Sequence, residues 1–311
     1  MESPTTCPVS VVVLTKDEAA NVADCLGAVC AQLRDGDEVL LIDSASRDAT
    51  VAIAQGFAPG VRVHASRENM SFGVARNMGV ALAKHDVIVF LSADAVPEAC
   101  WLDGLRRSIE NADIVYGRQR HAPTTENLAT VSRGLRYRHF EQYQHALPES
   151  YASNVNAAYR RFAFRSLCFD EDALGAEDVA FAKAARLAGL RLAYAPKAVV
   201  GHRDVATVRA EWRKLAREGE AHAQLRRLLG TPTMHIAWAC GVAGLALTTV
   251  ITGRWWVLIP TLVVFFAPTL RRLLSPGARQ YRAWPLLGAA AASPFFDLVF
   301  LGSYVKRRVI R

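Results

Sequence analysis

Four short apolar runs in the first third of the chain alternate with segments of helical periodicity. Each run is apolar almost throughout, which is typical of strands buried on both faces of a parallel sheet. The predicted strands are residues 9–14, 38–42, 61–65 and 87–91. The helical segments between them are residues 17–33, 48–57 and 72–84. This alternation predicts an α/β domain with a mostly parallel sheet flanked by helices.

The pattern is less regular after residue 113. Short strand candidates there are residues 114–116, 192–194 and 198–200, and helix candidates are residues 128–145 and 177–188. A basic helical stretch then follows at residues 206–229. We therefore predict a first domain over residues 1–205 and a basic juxtamembrane helix over residues 206–230.

The end of the chain is much more apolar. Residues 234–252 and 255–270 contain no Asp, Glu, Lys or Arg, and residues 284–305 contain Asp297 as their one acid. A run of about 20 apolar residues is long enough to cross the hydrocarbon core of a bilayer. Three such stretches in series favour C-terminal transmembrane helices over buried core helices. Residues 231–311 are thus predicted to be a membrane region.

The distribution of charge predicts the orientation. The 311 residues carry a net charge of +8, and basic residues cluster at 206–229, 271–282 and 306–308. Positive-inside counting places the first domain and the 271–282 linker in the cytoplasm. A third full crossing would put the basic tail outside, so two and three spans both stay open. The polar residues 1–8 are not a secretory signal, and six scattered cysteines without a CxxC pair indicate neither a disulfide scaffold nor a zinc site.

Polar and acidic residues follow each of the four predicted strands, at positions 15–18, 43–46, 66–69 and 92–95. In an open parallel sheet, ligands bind beyond the carboxyl ends of the strands, so these positions predict a site. No GxGxxG follows an early strand, which excludes a dinucleotide oxidoreductase. The segment LTKDEAAN after the first strand also lacks the glycine-rich phosphate loop of a nucleotidyl transferase.

Three segments carry a family resemblance. VSVVVLTKDEAANVADCL, DEVLLIDSASRDAT and ENMSFGVARNMGVALAKHDVIVFLSADAVPEACWL resemble the family 2 glycosyltransferases of GT-A fold. IVYGRQ, NVNAAYRR and GAEDVAFAKAARLAGLRLAYAPKAVVGH more loosely resemble rhamnosyltransferase-type members. The resemblance covers residues 9 to about 202. It implies a GT-A-type sheet, a nucleotide diphosphate sugar donor and a divalent cation, Mg²⁺ or Mn²⁺.

The resemblance assigns nucleotide binding to Thr15, Glu18, Asp43 and Arg76. A carboxylate at position 43 can accept a hydrogen bond from the N–H of uracil or thymine, or from a ribose hydroxyl. Three alternatives stay open: Asp43 as a turn or N-cap acid, Thr15 as a helix cap, and Arg76 on a solvated helix face.

The resemblance also assigns residues as metal ligands and as the general base. Ser92-Ala93-Asp94 stands where the family carries D-x-D, which makes Asp94 the predicted cation ligand with Ser92 replacing the first acid. His202 is a second candidate ligand, or else a structural histidine. In the Glu177-Asp178 pair, Asp178 matches the general base, which a helix N-terminus would hold ionised. Simple helix capping is the alternative.

These features predict a membrane-anchored, inverting glycosyltransferase whose catalytic domain faces the cytoplasm. It would move a sugar from a UDP- or dTDP-sugar to a membrane-proximal or lipid-linked glycan acceptor in cell-envelope polysaccharide or glycolipid synthesis, with no nucleic-acid partner. The alternatives are a polyprenyl-phosphate sugar transferase and a non-catalytic nucleotide-sugar-binding membrane protein.

Overall fold

The computed structural model describes residues 7–123, 125, 127, 130, 131, 133, 134, 152–203 and 207–229. These residues fall into two compact units, one built from those up to 123 and from 152 to 203, the other from those between 125 and 134 and from 207 onwards. The predicted membrane region 231–311 and most of the predicted helix 128–145 lie outside the described residues. None of the helices that the structure describes is long and apolar enough to span a bilayer.

The first unit contains eight strands and five helices among its described residues. The strands are β1 Val9–Thr15, β2 Glu38–Asp43, β3 Val61–Ala65, β4 Val87–Ser92, β5 Ala95–Pro97, β6 Ile114–His121, β7 Asn156–Arg160 and β8 Leu192–His202. The helices are α1 Val22–Cys30, α2 Thr50–Gln55, α3 Phe72–Leu82, α4 Trp101–Ile109 and α5 Glu177–Leu187, with a 3₁₀ turn at Arg161–Arg165. The second unit contains α6, Val208–Leu229.

One sheet holds all eight strands, in the order β3-β2-β1-β4-β7-β6-β8-β5. The four strands predicted in the first third are confirmed, and β3, β2, β1 and β4 are parallel to one another. The sheet is mostly parallel as expected, because β6 and β8 are parallel to each other and run in the same direction as β1 to β4. It is also mixed, because β7 runs antiparallel to β4 and β6, and β5 runs antiparallel to β8.

Alternating side chains of β1 supply both faces of the sheet, as the two-residue period of a strand requires. Val11 and Val13 pack into one apolar layer with α1 and α4. Val12 packs into the opposite layer, which includes Phe181 of α5. Because helices cover both faces, the central strands are apolar at successive positions, which is the pattern that made them predictable.

The Asn156 side chain joins α4, β6 and β8 by hydrogen bonds at an irregularity in the second half of the sheet. The two short strand candidates at 192–194 and 198–200 form the single strand β8, whose register against β6 shifts between Gly117 and Arg118. At this irregularity the Asn156 amide donates to the carbonyls of Arg118 and Ala198 at 3.0 and 2.8 Å and accepts from Trp101 Nε1 at 2.8 Å. A Cβ on Gly117 would lie 2.3 Å from the Asn156 amide nitrogen, so the close packing requires glycine.

The registers bring most of the strand ends to one edge. Thr15 pairs with Asp43 at the carboxyl ends of β1 and β2. Leu91, near the end of β4, pairs with Asn156 at the start of β7. At the ends of β6 and β8, His121 pairs with His202. This edge is therefore where the predicted site residues have to meet.

The second unit is stabilised by a buried ionic cluster on α6. Glu211 is fully buried, and its carboxylate lies 3.8 Å from the guanidinium of Arg133. The same guanidinium donates to Glu218 at 2.9 Å. Arg209, Arg213 and Arg217 are exposed on the other side of the helix. The basic helix predicted for residues 206–229 is thus confirmed as a helix, and its acid Glu211 lies on the buried face.

Candidate active site

The loops that follow β1 and β2 are tied together by backbone-to-side-chain hydrogen bonds. The Asp17 N–H donates to Ser46 Oγ at 2.8 Å, and the Arg47 N–H donates to Asp17 Oδ1 at 2.7 Å. The Glu18 N–H donates to Thr50 Oγ1, also at 2.7 Å. The two loops therefore form one rigid part of the edge.

Thr15 and Asp43 lie side by side inside this part of the edge. Thr15 is buried, and its Oγ1 has no hydrogen-bond partner among the residues that the structure describes. Thr15 is not a helix cap, because α1 is preceded by Asn21 at its N-cap. Asp43 is also buried and accepts from the N–H of Ser46 at 3.0 Å and from its hydroxyl. Asp43 thus fills the turn role, and its contact with a nucleotide stays a prediction.

Glu18 belongs to a chain of polar contacts that reaches β8. Its carboxylate accepts from Asn21 Nδ2 at 2.7 Å, and Asn21 Oδ1 accepts from Arg203 Nη1 at 3.0 Å. The Arg203 guanidinium also pairs with Asp24 on α1. Sequence reasoning missed Arg203, and the available signal was its position directly after His202.

An open cleft of about 650 Å³ lies at the carboxyl ends of β1, β2 and β3. It is lined by Lys16, Asp17, Ala45, Ser46, Arg47, Ser66, Arg67 and Asn69. Three of these side chains are cationic and one is acidic. A predominantly basic cleft favours anionic ligands, since local positive potential raises their concentration at the surface.

Arg76 lies away from the solvent, contrary to the solvated-face alternative. The residue is 5% exposed and forms an ion pair with Glu177. The guanidinium carbon lies 5.3 Å from the ring centre of Phe72 and 5.8 Å from that of Phe169. The predicted contact between Arg76 and a nucleotide is not tested by this geometry. The contact that the structure does show is with the first residue of α5.

Asp94 and His202 are brought together, as their shared metal assignment requires. His202 Nε2 lies 3.1 Å from Asp94 Oδ2, and the Arg203 N–H donates to the Asp94 carbonyl at 2.8 Å. Two adjacent ligands of one octahedral Mg²⁺, each at about 2.1 Å, would lie about 3 Å apart, so the pair fits a shared cation. In the described part of the chain, no cluster of three or more acids, histidines or cysteines suits a metal. The remaining ligands would have to come from the diphosphate and water.

Asp178 lies in the first turn of α5 and is held by two backbone amides. Its carboxylate accepts from Val179 N–H at 2.8 Å and from Asn154 N–H at 3.2 Å. Burial, and next the negative charge of Glu177, raise the pKa of Asp178 to about 7, whereas Arg76 and the two amides lower it. A carboxyl group that titrates near neutral pH is well suited to accept a proton. The bond to Val179 also gives Asp178 the capping contact of the alternative interpretation.

The segment before β7 joins this carboxylate to the end of β4. Asn154 donates to Asp178, and the carbonyl of the next residue, Val155, accepts from Ser92 N–H at 3.4 Å. Ser92 ends β4 and lies two residues before Asp94. The structure therefore places the predicted base and the predicted cation ligands at the same edge. Sequence reasoning assigned no role to Asn154 or Val155, although both lie in the motif NVNAAYRR.

With this geometry in hand, comparison with known proteins defines the class. The chain belongs to glycosyl transferase family 2, whose model matches residues 10–168. It is a glycosyltransferase. It is 30% identical over 210 residues to the O-antigen chain rhamnosyltransferase RfbN of Salmonella typhimurium, covering 64% of this chain and 67% of that one. It is 30% identical over 206 residues to the O-antigen chain rhamnosyltransferase WbaN of Salmonella anatum, covering 62% and 64%. The alignments thus span about two thirds of these relatives.

Solved structures share the fold. The mannosyltransferase PcManGT of Pyrobaculum calidifontis, in complex with GDP-Man and Mn²⁺, matches with a TM-score of 0.64 at 20% identity over 99% of this chain and 89% of that chain. Glucosyl-3-phosphoglycerate synthase of Mycobacterium tuberculosis, with Mn²⁺, UDP and glucosyl-3-phosphoglycerate, matches with a TM-score of 0.55 at 21% identity over 74% and 82%. The GT-A-type α/β architecture expected from the sequence is confirmed.

Proposed function

We propose that the protein is an inverting, membrane-anchored glycosyltransferase of cell-envelope polysaccharide or glycolipid synthesis. It transfers a sugar from a UDP- or dTDP-sugar to a lipid-linked or membrane-proximal glycan. The rhamnosyltransferase relatives, which are named for O-antigen chains, support this acceptor class. The observation that carries the proposal is the presence of Asp178, with its raised pKa, at the same edge as the Asp94–His202 pair.

The donor lies along the carboxyl edge in this proposal. Thr15, Glu18 and Asp43 contact the nucleoside beside the basic cleft, and the diphosphate reaches Asp94 and His202. The unpartnered Oγ1 of buried Thr15 and the spare acceptor positions on the Asp43 carboxylate suit such contacts. Asp94 and His202 would hold a Mg²⁺ or Mn²⁺ ion, which when bound would supply positive charge against the diphosphate leaving group. Solved structures of the same fold contain Mn²⁺ with GDP-Man or UDP, which supports this assignment.

Asp178 acts as the general base. Its carboxylate removes the proton from the acceptor hydroxyl, and the oxygen attacks the anomeric carbon on the face opposite the nucleoside diphosphate. The bond from that carbon to the diphosphate oxygen breaks, and its electron pair leaves with the diphosphate. Configuration is therefore inverted, and the proton resides on Asp178. Each of the two backbone amides bonds to a different carboxylate oxygen, so one lone pair on each oxygen stays available for this transfer.

The membrane assignment rests on the sequence. The uncharged stretches 234–252 and 255–270 would anchor the chain in the cytoplasmic membrane with the catalytic domain in the cytoplasm. The exposed arginines Arg209, Arg213 and Arg217 of α6 directly precede this region and suit the anionic headgroups of the inner surface. An acceptor carried by a lipid would then be presented close to the enzyme.

The test is a donor screen. Detergent-purified full-length protein is incubated with Mg²⁺ or Mn²⁺ and a panel of nucleotide sugars together with an envelope lipid extract, and release of the nucleoside diphosphate is measured. Sugar-dependent release that Asp178→Asn abolishes and Asp35→Asn leaves intact supports the proposal, because Asp35 is an exposed acid in the loop before β2, at the opposite end of that strand from Asp43. Binding of a nucleotide sugar with no release under any condition would favour the non-catalytic alternative.

A further inference from the structure

Two adjacent residues of α3 contact the chain around the start of α5, one at its first residue and the other at Phe169, eight residues earlier. Arg76 forms the ion pair with Glu177, and both side chains are almost entirely buried, at 7% and 3% exposure. The neighbouring Asn77 exchanges two hydrogen bonds with the backbone of Phe169, each at 3.0 Å. Opposite charges removed from water persist only when they are paired. The ion pair therefore holds the first turn of α5 against α3.

The residue after Glu177 is the proposed base. Among the residues that the structure describes, four groups with a titratable or charged side chain face Asp178: Glu177 on its own helix, Arg76 on α3, Tyr116 on β6 and Tyr159 on β7. Burial raises the pKa of both tyrosines, so they stay neutral and act as dipoles. Tyr159 donates to the side-chain oxygen of Asn154, whose backbone N–H holds Asp178. Within the described part of the chain, the two charges that face Asp178 are thus those of Arg76 and Glu177.

We propose that Arg76 and Glu177 form a positioning pair that orients the Asp178 carboxylate and sets the pH above which it accepts the acceptor proton. This inference rests on the proposed role of Asp178 as base. Neither member of the pair contacts the reacting atoms. It gives Arg76 a function different from the nucleotide contact that the family resemblance implies, and the two functions have different consequences for donor affinity.

The signs of the expected shifts follow from the charges. Glu177→Gln removes the negative neighbour and leaves Arg76 in place, so the titration of Asp178 falls by about one pH unit. Arg76→Met removes the positive neighbour and raises the titration midpoint of Asp178 by about one pH unit. The double variant removes both charges and returns the titration to near its original position. Donor affinity changes less than about threefold in all three, since the pair lies outside the donor contacts.

Two readouts separate the inference from the function on which it rests. The first is the carboxyl ¹³C titration of Asp178 in the ligand-free protein, assigned by its loss in Asp178→Asn. The second is the pH dependence of nucleoside diphosphate release with the donor found in the screen, with donor dissociation constants measured alongside. Asp178→Asn with undiminished turnover overturns the proposed base, whatever the titration shows. An inactive Asp178→Asn together with an unshifted titration in both single variants overturns the positioning pair alone.

The chain offers a matched control for a lost buried ion pair. Arg106 on α4 pairs with Asp37 at 2.6 Å, and their side chains are 4% and 0% exposed. Asp37→Asn should lower thermal stability and leave the Asp178 titration unmoved. Glu177→Gln covers the case in which Arg76→Met fails to fold, because the Gln side-chain oxygen can still accept from the Arg76 guanidinium, and its downward shift in the titration of Asp178 tests the proposal by itself. Lower donor affinity in Arg76→Met with no shift in titration would assign Arg76 to the nucleotide and overturn the proposal.

Discussion

Asp94 and His202 are 108 positions apart in the sequence, and their side chains approach to 3.1 Å. The antiparallel pairing of Ala95 with His202 produces this contact, because it places the end of β8 beside the residue after Asp94. The edge thus offers a carboxylate and an imidazole although Ser92 stands where the family resemblance places an acid. A histidine is a common metal ligand, so the edge still carries two candidate ligands for the proposed cation.

Asp94→Asn should weaken donor binding and reduce its dependence on Mg²⁺ or Mn²⁺, since the substitution keeps the shape and removes the charge that a hard cation requires. Titration calorimetry of the nucleotide sugar with and without the metal measures both effects. Asp35→Asn serves as the control for a lost surface acid. Wild-type activity that a chelator leaves undiminished would rule out Asp94 as a functional metal ligand.

The reaction rate should follow the ionisation of Asp178. A base must be deprotonated to act, so kcat/KM is expected to rise with pH and level off above the pKa of about 7. The profile is measured with saturating metal and a fixed donor. A rate that is flat through this range while Asp178→Asn is inactive would show that the carboxyl titrates elsewhere.

The raised pKa of Asp178 should also make the stability of the folded protein depend on pH. The ordinary value of 3.8 applies to the unfolded chain, and about 7 applies to the folded protein, so the folded state binds more protons between these values. Stability contributed by Asp178 is fully present below the unfolded pKa and is lost as pH rises through the folded one. Asp178→Asn should therefore gain thermal stability relative to the wild type as pH increases from about 4 to about 8. Thermal unfolding at both ends of this range tests it, and a difference independent of pH would contradict it.

Asn156→Ala should destabilise the fold by about 3 kcal/mol or more. It leaves the carbonyls of Arg118 and Ala198, at the irregularity between β6 and β8, and the indole N–H of Trp101 without their partner. Chemical denaturation measures the change in unfolding free energy. Asn111→Ala, at an exposed position, is the control and should change little. A loss of unfolding free energy no larger than that of the control would mean that β6 and β8 pair at this irregularity without help from Asn156.

Truncation after Gly230 should move much of the protein from the membrane to the soluble fraction, since the uncharged stretches begin beyond that residue. The basic helix α6 holds some of it at an anionic surface at low salt. Fractionation before and after a high-salt wash measures both contributions. Complete retention after the wash would contradict the membrane assignment of residues 231–311.

Local pattern was enough to predict the first half of the sheet. Strands β1, β2 and β4 are buried along almost their whole length and are mostly apolar, whereas the edge strand β3 is largely exposed and carries Arg62 and His64. The bounds of all four strands differ from prediction by at most one residue. Strand β7 was missed because NAAYR carries neither an apolar run nor an alternation. Its place is decided by partners far away in the chain, β4 and β6. Strand β8 was split in two because Pro196 and Lys197 interrupt its pattern at the irregularity against β6.

The candidate site, like the second half of the sheet, could be predicted from local sequence only in part. Residues that follow a strand, such as Asp43 and Asp94, were placed at the edge by local pattern and family resemblance. The ion pair of Arg76 with Glu177 joins residues 101 positions apart and depends on how α3 and α5 pack on one face of the sheet. A sequence pattern carries no information on that packing. The raised pKa of Asp178 likewise arises from burial and from its neighbours, which only the fold determines.

The base assignment is tested most directly by the turnover of Asp178→Asn with a sugar-hydroxyl acceptor, compared with its donor dissociation constant. In the proposed mechanism the carboxylate contacts the acceptor and not the donor, so turnover should fall by roughly 10²–10⁴ while the dissociation constant hardly changes. Asp43→Asn should show the reverse and raise the dissociation constant first. Turnover of Asp178→Asn at the wild-type rate with that acceptor would contradict the base assignment. The same result with a phosphate acceptor alone would instead identify a polyprenyl-phosphate sugar transferase.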